Sequence, residues 1–461
     1  MQINRETGHK SPRLEIAARS ADNGLTDSVD PPYATMAPQL VTVASLLLGS
    51  AFLLMANGLH GLLLPVRGAM EGFTVAELGL LGTSWATGFV AGCLLVPAIV
   101  RRVGHVRSYG ALASVAAITI LLNVLIVPPA AWITLRALSG FCFAGAAMVV
   151  ESWLNERATR ENRGTIFSVY QMVNFAASTA GQLFMVIEPP TDFFFFIIGA
   201  IVYCLAILPT ALSTAASPQP LKTATLDIRR LYANSPVSAV TCFLIGLVNG
   251  AFGTLGPVYA QQIGLPVRDI ATLMAGSLLG GSLIQFPLGW LSDHMDRRRV
   301  LLAVAIGATL IGASIAIIQP RSPLVVIGLV IVWGAMIYPM YALTVAHAND
   351  FAASDEFVRI AGGLLLLLGV GTMVGPIAAA LAMEWTVPEG LFAFTAIVHL
   401  AVIGYVVFRI GRRPTPDPVL RESFRGLPVT KTATPESAAL DPRSSESDAV
   451  VDIVEVSSAK E

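Results

Sequence analysis

Twelve stretches of about 20 apolar residues, separated by short polar loops, constrain this chain more than any other feature. They run over residues 40–64, 75–99, 108–127, 131–153, 164–187 and 192–213, then 237–261, 267–291, 300–319, 323–347, 359–383 and 389–410. A helix of about 20 residues crosses the roughly 30 Å hydrocarbon core of a bilayer. Lipid offers no partner to a free backbone amide, so such spans must be helices, and they are too long to be barrel strands. Charge agrees with this, because only 13% of the 461 residues are Asp, Glu, Lys or Arg, against about a quarter in soluble domains. The net charge of −1 excludes a nucleic-acid partner held by bulk charge, since nothing would neutralise the phosphates.

The loops set an orientation. One side collects Arg101, Arg102, Arg107, Arg157, Arg160, Arg163, Lys222, Arg229, Arg230, Arg297, Arg298, Arg299, Arg359, Arg409, Arg412 and Arg413; the other has Arg67, Arg268 and Arg321. Basic residues concentrate on the cytoplasmic side of membrane proteins. Both termini are therefore expected in the cytoplasm of a multi-pass protein of the cell (inner) membrane. Residues 1–37 and 411–461 read as disordered cytoplasmic tails, the second rich in Pro, Ser, Glu and Asp. The first tail has no apolar core and so is not read as a secretory signal. Cys93, Cys142, Cys204 and Cys242 all lie in apolar runs without CxxC or Cys/His spacing. No disulfide framework, metal site or cofactor is indicated.

The two sets of six runs are copies. Residues 57–65 read NGLHGLLLP and residues 249–257 read NGAFGTLGP, sharing N-G-x-x-G-x-x-x-P at an offset of 192. The same offset carries Val75 onto Val267, Glu77 onto Asp269, Gly88 onto Gly280 and Arg107 onto Arg299. An ungapped repeat of this length implies two equivalent six-helix units, at residues 38–213 and 237–410, joined by a cytoplasmic linker at 214–236.

Loop motifs carry a family resemblance. The stretch Gly289-Trp-Leu-Ser-Asp293-His-Met-Asp-Arg297-Arg298-Arg299 resembles the G-x-L-x-D-R-x-G-R-R signature of the major facilitator superfamily. Its counterpart over residues 97–107 keeps Arg101, Arg102 and Arg107 but lacks the acid. Arg136 with Gly140 is similar to that family's R-x-x-x-G pattern, and Glu151 with Arg163-Gly164 resembles its acid and Arg-Gly pair flanking the loop between helices 4 and 5. Within the superfamily, Gly104-His-Val-Arg, Glu151-Ser-Trp-Leu, Asn162-Arg-Gly and His347-Ala-Asn-Asp350 look like the YcaD-like bacterial branch. The resemblance implies an all-α membrane protein with 12 transmembrane helices in two pseudo-symmetric six-helix bundles. It implies a transporter and no enzyme, with membrane lipid and a small-molecule substrate as partners, and a monomer is expected.

Candidate residues follow from polarity inside apolar runs, where a polar group is costly unless it is paired or faces water. Asn57 and Asn249 are equivalent in the repeat and read either as interhelical glue beside glycine or as cavity lining. His60 lies three residues after Asn57 on a shared face; it is either a hydrogen-bonded packing residue or a group that titrates during transport. Arg136, about one turn inside the fourth run, either braces neighbouring helices or draws an anion inward. Gln171, Asn174, Tyr338 and Tyr341 are further cavity candidates. Arg101, Arg102, Arg107, Glu151, Arg163, Asp293, Arg297, Arg298, Asp350 and Arg359 read as a cytoplasmic gate network, with Glu151 near Arg101 or Arg163, and Asp293 or Asp350 near Arg359. Small residues recur every four positions at Ser84, Gly88 and Gly92 and at Gly276 and Gly280; by the resemblance they would meet helices 11 and 5 across the halves.

These features lead to an expected secondary active transporter of a small polar or anionic solute, working by alternating access between the halves. No Walker A sequence is present, so an ion or solute gradient must supply the energy, and proton coupling stays open. The alternatives are a drug or metabolite efflux antiporter and a non-transporting receptor or scaffold. Exporters of the family carry a glycine-proline motif on helix 5, where Gly181-Gln182 stands here; Gly375-Pro376 lies on helix 11 instead.

Overall fold

A computed structural model describes residues 32–159, 162–212, 228–352, 357–412, 424 and 434–440. The first 31 residues, most of the linker, and Arg160, Lys222 and Arg413 lie outside the described residues. The chain divides into a unit Met1–Val41, whose described part is helical from Pro32, and a unit Thr42–Glu461. The second unit holds everything discussed below.

Its spans are α1 (Val43–Met70), α2 (Val75–Val103), α3 (His105–Leu125), α4 (Pro129–Arg157), α5 (Arg163–Leu183) and α6 (Phe194–Ala211). They continue with α7 (Pro236–Gln262), α8 (Val267–His294), α9 (Arg297–Ile318), α10 (Pro323–Asn349), α11 (Arg359–Trp385) and α12 (Gly390–Ile410). A short helix, Ile228–Asn234, precedes α7, and a last one, α13 (Pro435–Leu440), follows in the tail. Among the described residues eleven helices are long and apolar enough to cross a membrane. The exception is α5, whose 21 residues include Gln171, Asn174, Ser178 and Gln182. At about 100° per residue these four fall on one stripe, so its polarity is concentrated on a face that need not meet lipid. Elsewhere the lipid-facing surface is apolar, as at Leu125, Ile317 and Leu324.

Local chemistry places the turns. Thr74 caps α2 through a capping box: its hydroxyl accepts from the Glu77 amide, and the Glu77 carboxylate accepts from the Thr74 amide at 2.8 Å. The preceding Gly72 has φ +84°, and Gly264, 192 positions later, has φ +85°. The repeat therefore extends to a backbone conformation that favours glycine. In α10, Pro339 interrupts the helix and leaves Tyr338 at the junction of its two segments.

The glycines of the two N-G pairs explain themselves by close approach. A Cβ on Gly58 would lie 2.5 Å from the Ser178 carbonyl oxygen of α5, and a Cβ on Gly250 would lie 2.5 Å from the Thr372 carbonyl oxygen of α11. Each half thus crosses its first and fifth helices backbone to backbone.

The other small-residue stripe serves a different contact from the one expected. Gly88 and Gly92 press on α4 at Ala137 and Phe141, and Gly276 and Gly280 press on Ile331 of α10, all within one half. The halves meet instead through Gly79, against Pro376 and Ala380 of α11, and Gly82, against Thr254 of α7. Nine residues of helix turn through about two and a half revolutions, so Gly79 and Gly88 look in opposite directions.

Candidate functional site

The central cavity is built where the two repeats face each other. Its volume is about 90 Å³, and it is lined by Asn57, Gly61, Trp85, Arg136, Ser178 and Gln182 from the first half and Asn249, Gly253, Pro257, Met274, Leu278 and Tyr338 from the second. The N-G pair divides its labour: the glycine seats the helix crossing, and the adjacent asparagine turns to the cavity. The Oδ1 atoms of Asn57 and Asn249 and the Oε1 of Gln182 are buried without a hydrogen-bond partner among the described residues. Polar atoms in that condition are uncommon in folded proteins and call for a ligand or water.

Arg136 supplies the charge. It is only 5% exposed and stands over the Trp85 ring at 5.7 Å, and its Nη1 has no acceptor among the described residues. A guanidinium is an unusually rigid fork for carboxylate or phosphate groups, and a cation at this depth is costly without an anion. The geometry therefore offers one positive fork, an indole face and three amide oxygens around one space.

The cavity does not contain every expected residue. His60 is fully buried on the far side of α1, with Nε2 3.3 Å from the Asn123 side chain of α3 and its ring edge-on to Tyr203 of α6. The lining arc of α1 is centred between Gly58 and Gly61, and a position 60 side chain is rotated from that arc by about a third of a turn. Its repeat mate Phe252 is also core, 4.8 Å from Trp333. Tyr341 is buried away from the lining. Gln171 and Asn174 lie on the α5 stripe but toward the basic loops, and Ser178 and Gln182 are the lining members. Trp85 carried no sequence signal beyond being aromatic in an apolar run; only the neighbouring Arg136 gives it a role.

On the face carrying the basic loops, the carboxylates have partners other than those expected. Glu151 is 1% exposed; it accepts from the Tyr170 hydroxyl of α5 at 2.9 Å and from the Thr434 hydroxyl, rather than from Arg101 or Arg163. Arg101, Arg102 and Arg107 are exposed. Arg297 opens α9 and reaches back to Asp293 at 3.2 Å and across to Asp350 at 2.8 Å. Asp293 and Asp350 therefore share Arg297, while Arg359 is exposed. Arg298 is held by Asp296, the cap of α9, at 2.9 Å. Burial works against the Asp296 charge, but the hydrogen bonds and charge of Arg298 outweigh it and hold the carboxyl below its ordinary pKa.

The Arg297–Asp350 pair is almost wholly buried, at 1% and 2% side-chain exposure. Arg297→Ala is expected to cost about 3–5 kcal/mol, because it removes the buried cation that Asp293 and Asp350 share. A thermal melt of the purified variant in detergent checks this, and an unchanged midpoint would show the pair to be dispensable.

Comparison with known proteins agrees with this architecture. The family model described as Major Facilitator Superfamily matches residues 46–352 and 238–441. An uncharacterized MFS-type transporter of Enterobacter sp. (strain 638) is 28% identical over 383 residues, 81% of this chain and 97% of that protein. The uncharacterized MFS-type transporter YcaD of Escherichia fergusonii is 27% identical over 380 residues, 82% of this chain and 97% of its own length. Among solved structures, the nucleoside transporter NupG aligns with a TM-score of 0.66 at 14% identity, covering 82% of this chain and all of its own. A bacterial homologue of the human lysosomal transporter Spinster, in an inward-facing and occupied conformation, gives a TM-score of 0.64 at 15% identity, over 85% of this chain and 99% of that one. The chain is a multi-pass membrane protein and belongs to the major facilitator superfamily.

Proposed function

We propose that this protein is a secondary transporter that moves a small anionic or polar solute across the cytoplasmic membrane by alternating access. The observation that carries the reading is Arg136, a buried guanidinium lacking an acceptor at Nη1, beside three unpartnered amide oxygens in a cavity shared by both halves. The fork binds the anionic group of the solute, Trp85 supports its apolar part, and the amide oxygens of Asn57, Asn249 and Gln182 accept from its hydroxyl or amino groups.

By the distribution of arginines, the basic loops face the cytoplasm. On the opposite face α2 is fastened to α11: the Ala76 amide donates to Glu384 at 2.9 Å and the Thr83 hydroxyl to the Met373 carbonyl at 2.6 Å. Those contacts belong to a state closed to the outside, and they must part when the halves rock. Where protons are coupled, Glu151 is better placed than His60. It lies on the Arg136 face of α4, roughly 22 Å further along the helix, whereas His60 is enclosed in its own half.

The test is thermal stabilisation of the purified protein across a panel of metabolites, followed by flux of any hit in proteoliposomes. A solute at about 100 times its Kd adds roughly 2.7 kcal/mol of stability. Carboxylates or phosphate esters are expected to raise the midpoint. Stabilisation by lipophilic cations alone, with no flux of any anion, would sink the reading.

A further inference from the structure

A polar stretch that follows the last membrane span normally lies in water. Part of this one does not. Thr434 is fully buried, Glu436 is 7% exposed and Ser437 is 6% exposed. The segment is also locally organised. Thr434 precedes Pro435 at the first position of α13, a place proline suits, and the Ser437 hydroxyl and amide both donate to the Thr434 carbonyl, at 2.6 and 3.1 Å. A stretch expected to be disordered thus has a defined conformation.

What the segment touches gives it a role. The short helix α13 packs against α4 of the first half and α11 of the second. Its leading Thr434 donates a hydrogen bond to Glu151, near the basic-loop end of α4. Ten residues earlier, the Phe424 amide donates to both oxygens of Asp293, at 2.8 and 3.0 Å, and its ring lies against Gly289 of α8. The tail therefore holds one acid from each half, both near the ends of spans on the basic-loop side. It bridges the halves on the face opposite the α2–α11 fastening.

We propose that Phe424 and the stretch from Thr434 through α13 form an autoinhibitory wedge, docked in the cytoplasmic mouth and holding the two halves apart there. The proposal rests on the alternating-access reading above. Closing the mouth would bring α4 and α5 toward α10 and α11, and α13 occupies that space. The wedge also engages Glu151 and Asp293, one acid from each half on that face. Transport then requires the tail to leave, and anything that binds the tail in the cytoplasm speeds the cycle. Because the segment is tethered, it competes at an effective concentration of roughly millimolar, so a free peptide replaces it only at comparable concentration.

The test measures distances with spin-label pairs in lipid nanodiscs, on the full chain, on a chain ending at Arg412, and on Thr434→Val and Phe424→Ala variants. One pair spans the mouth, at Arg157 and Arg359; the other spans the opposite face, at Glu71 and Val387. The expected result is a mouth-closed population about tenfold larger in the truncated chain, within the usual span of coupling between sites. The two point variants fall between, and a synthetic peptide of residues 420–445 at millimolar concentration restores the open mouth. Both pairs sampling two distances with equal populations in all four proteins would overturn the wedge and leave the rocking motion standing. A single fixed distance at both faces in every protein would overturn the wedge and the rocking motion together.

Discussion

Arg136→Met is expected to weaken recognition of the anionic solute while leaving the protein as stable as before, or more so. The two readouts move in opposite directions because, among the described residues, no carboxylate pairs with this charge. A buried charge without a counter-ion is costly, so a packed apolar side chain of similar volume in its place is expected to be neutral or stabilising. Loss of a charge-assisted hydrogen bond costs a ligand roughly 1.5–3 kcal/mol, or about 10- to 150-fold in affinity at 1.36 kcal/mol per decade. Arg136→Lys is expected to recover only part of the binding, since an ammonium keeps the charge and loses the fork. The bracing role predicts the reverse pattern: a midpoint that falls in Arg136→Met as it does in Arg297→Ala. Melting curves of the two variants side by side, with and without the best solute, decide between them.

Gly58→Ala and Gly250→Ala are expected to destabilise the protein, against the intrinsic preference of a helix for alanine. In an unobstructed helix that preference is worth about 1 kcal/mol in favour of Ala. Here the added Cβ would sit 2.5 Å from a carbonyl oxygen of α5 or α11, and that atom belongs to the backbone of a packed helix. The helices must separate, at a cost of roughly 1–3 kcal/mol per site. Gly110→Ala in α3, where a Cβ would meet nothing within 4 Å, is the control and is expected to be neutral or stabilising. Detergent melts read by monodisperse elution check all three. If the two N-G variants behave like Gly110→Ala, the close crossing is not what the repeated glycine is for.

Reading by residue type reaches what is strictly local. An asparagine or arginine inside an apolar run is visible as an anomaly, and Asn57, Asn249, Arg136 and Tyr338 do line one cavity. It failed for His60, which is just as anomalous in sequence but is paired with Asn123 inside the first half. A polar residue in a span must face something other than lipid, and the sequence does not say whether that is water or another helix. The small-residue stripes failed in the same way. Their spacing announces a close helix contact, but α2 carries two such faces half a turn apart, and the more regular one packs within its own half. For Glu151 the motif marked an acid worth holding, and besides Tyr170 its partner is a hydroxyl about 280 residues away in a tail that composition classed as disordered.

The amino-acid sequence alone determined the spans, their repeat and the side on which the arginines gather, because each depends on apolar length, spacing or charge read along the chain. The three-dimensional packing decided which polar groups share a space. Rotation of a helix by a third of a turn costs the hydropathy pattern little, yet it sends Asn57 to the cavity and His60 to the core. Only the packed neighbours of each helix select that rotation, and they come from segments far away in the chain.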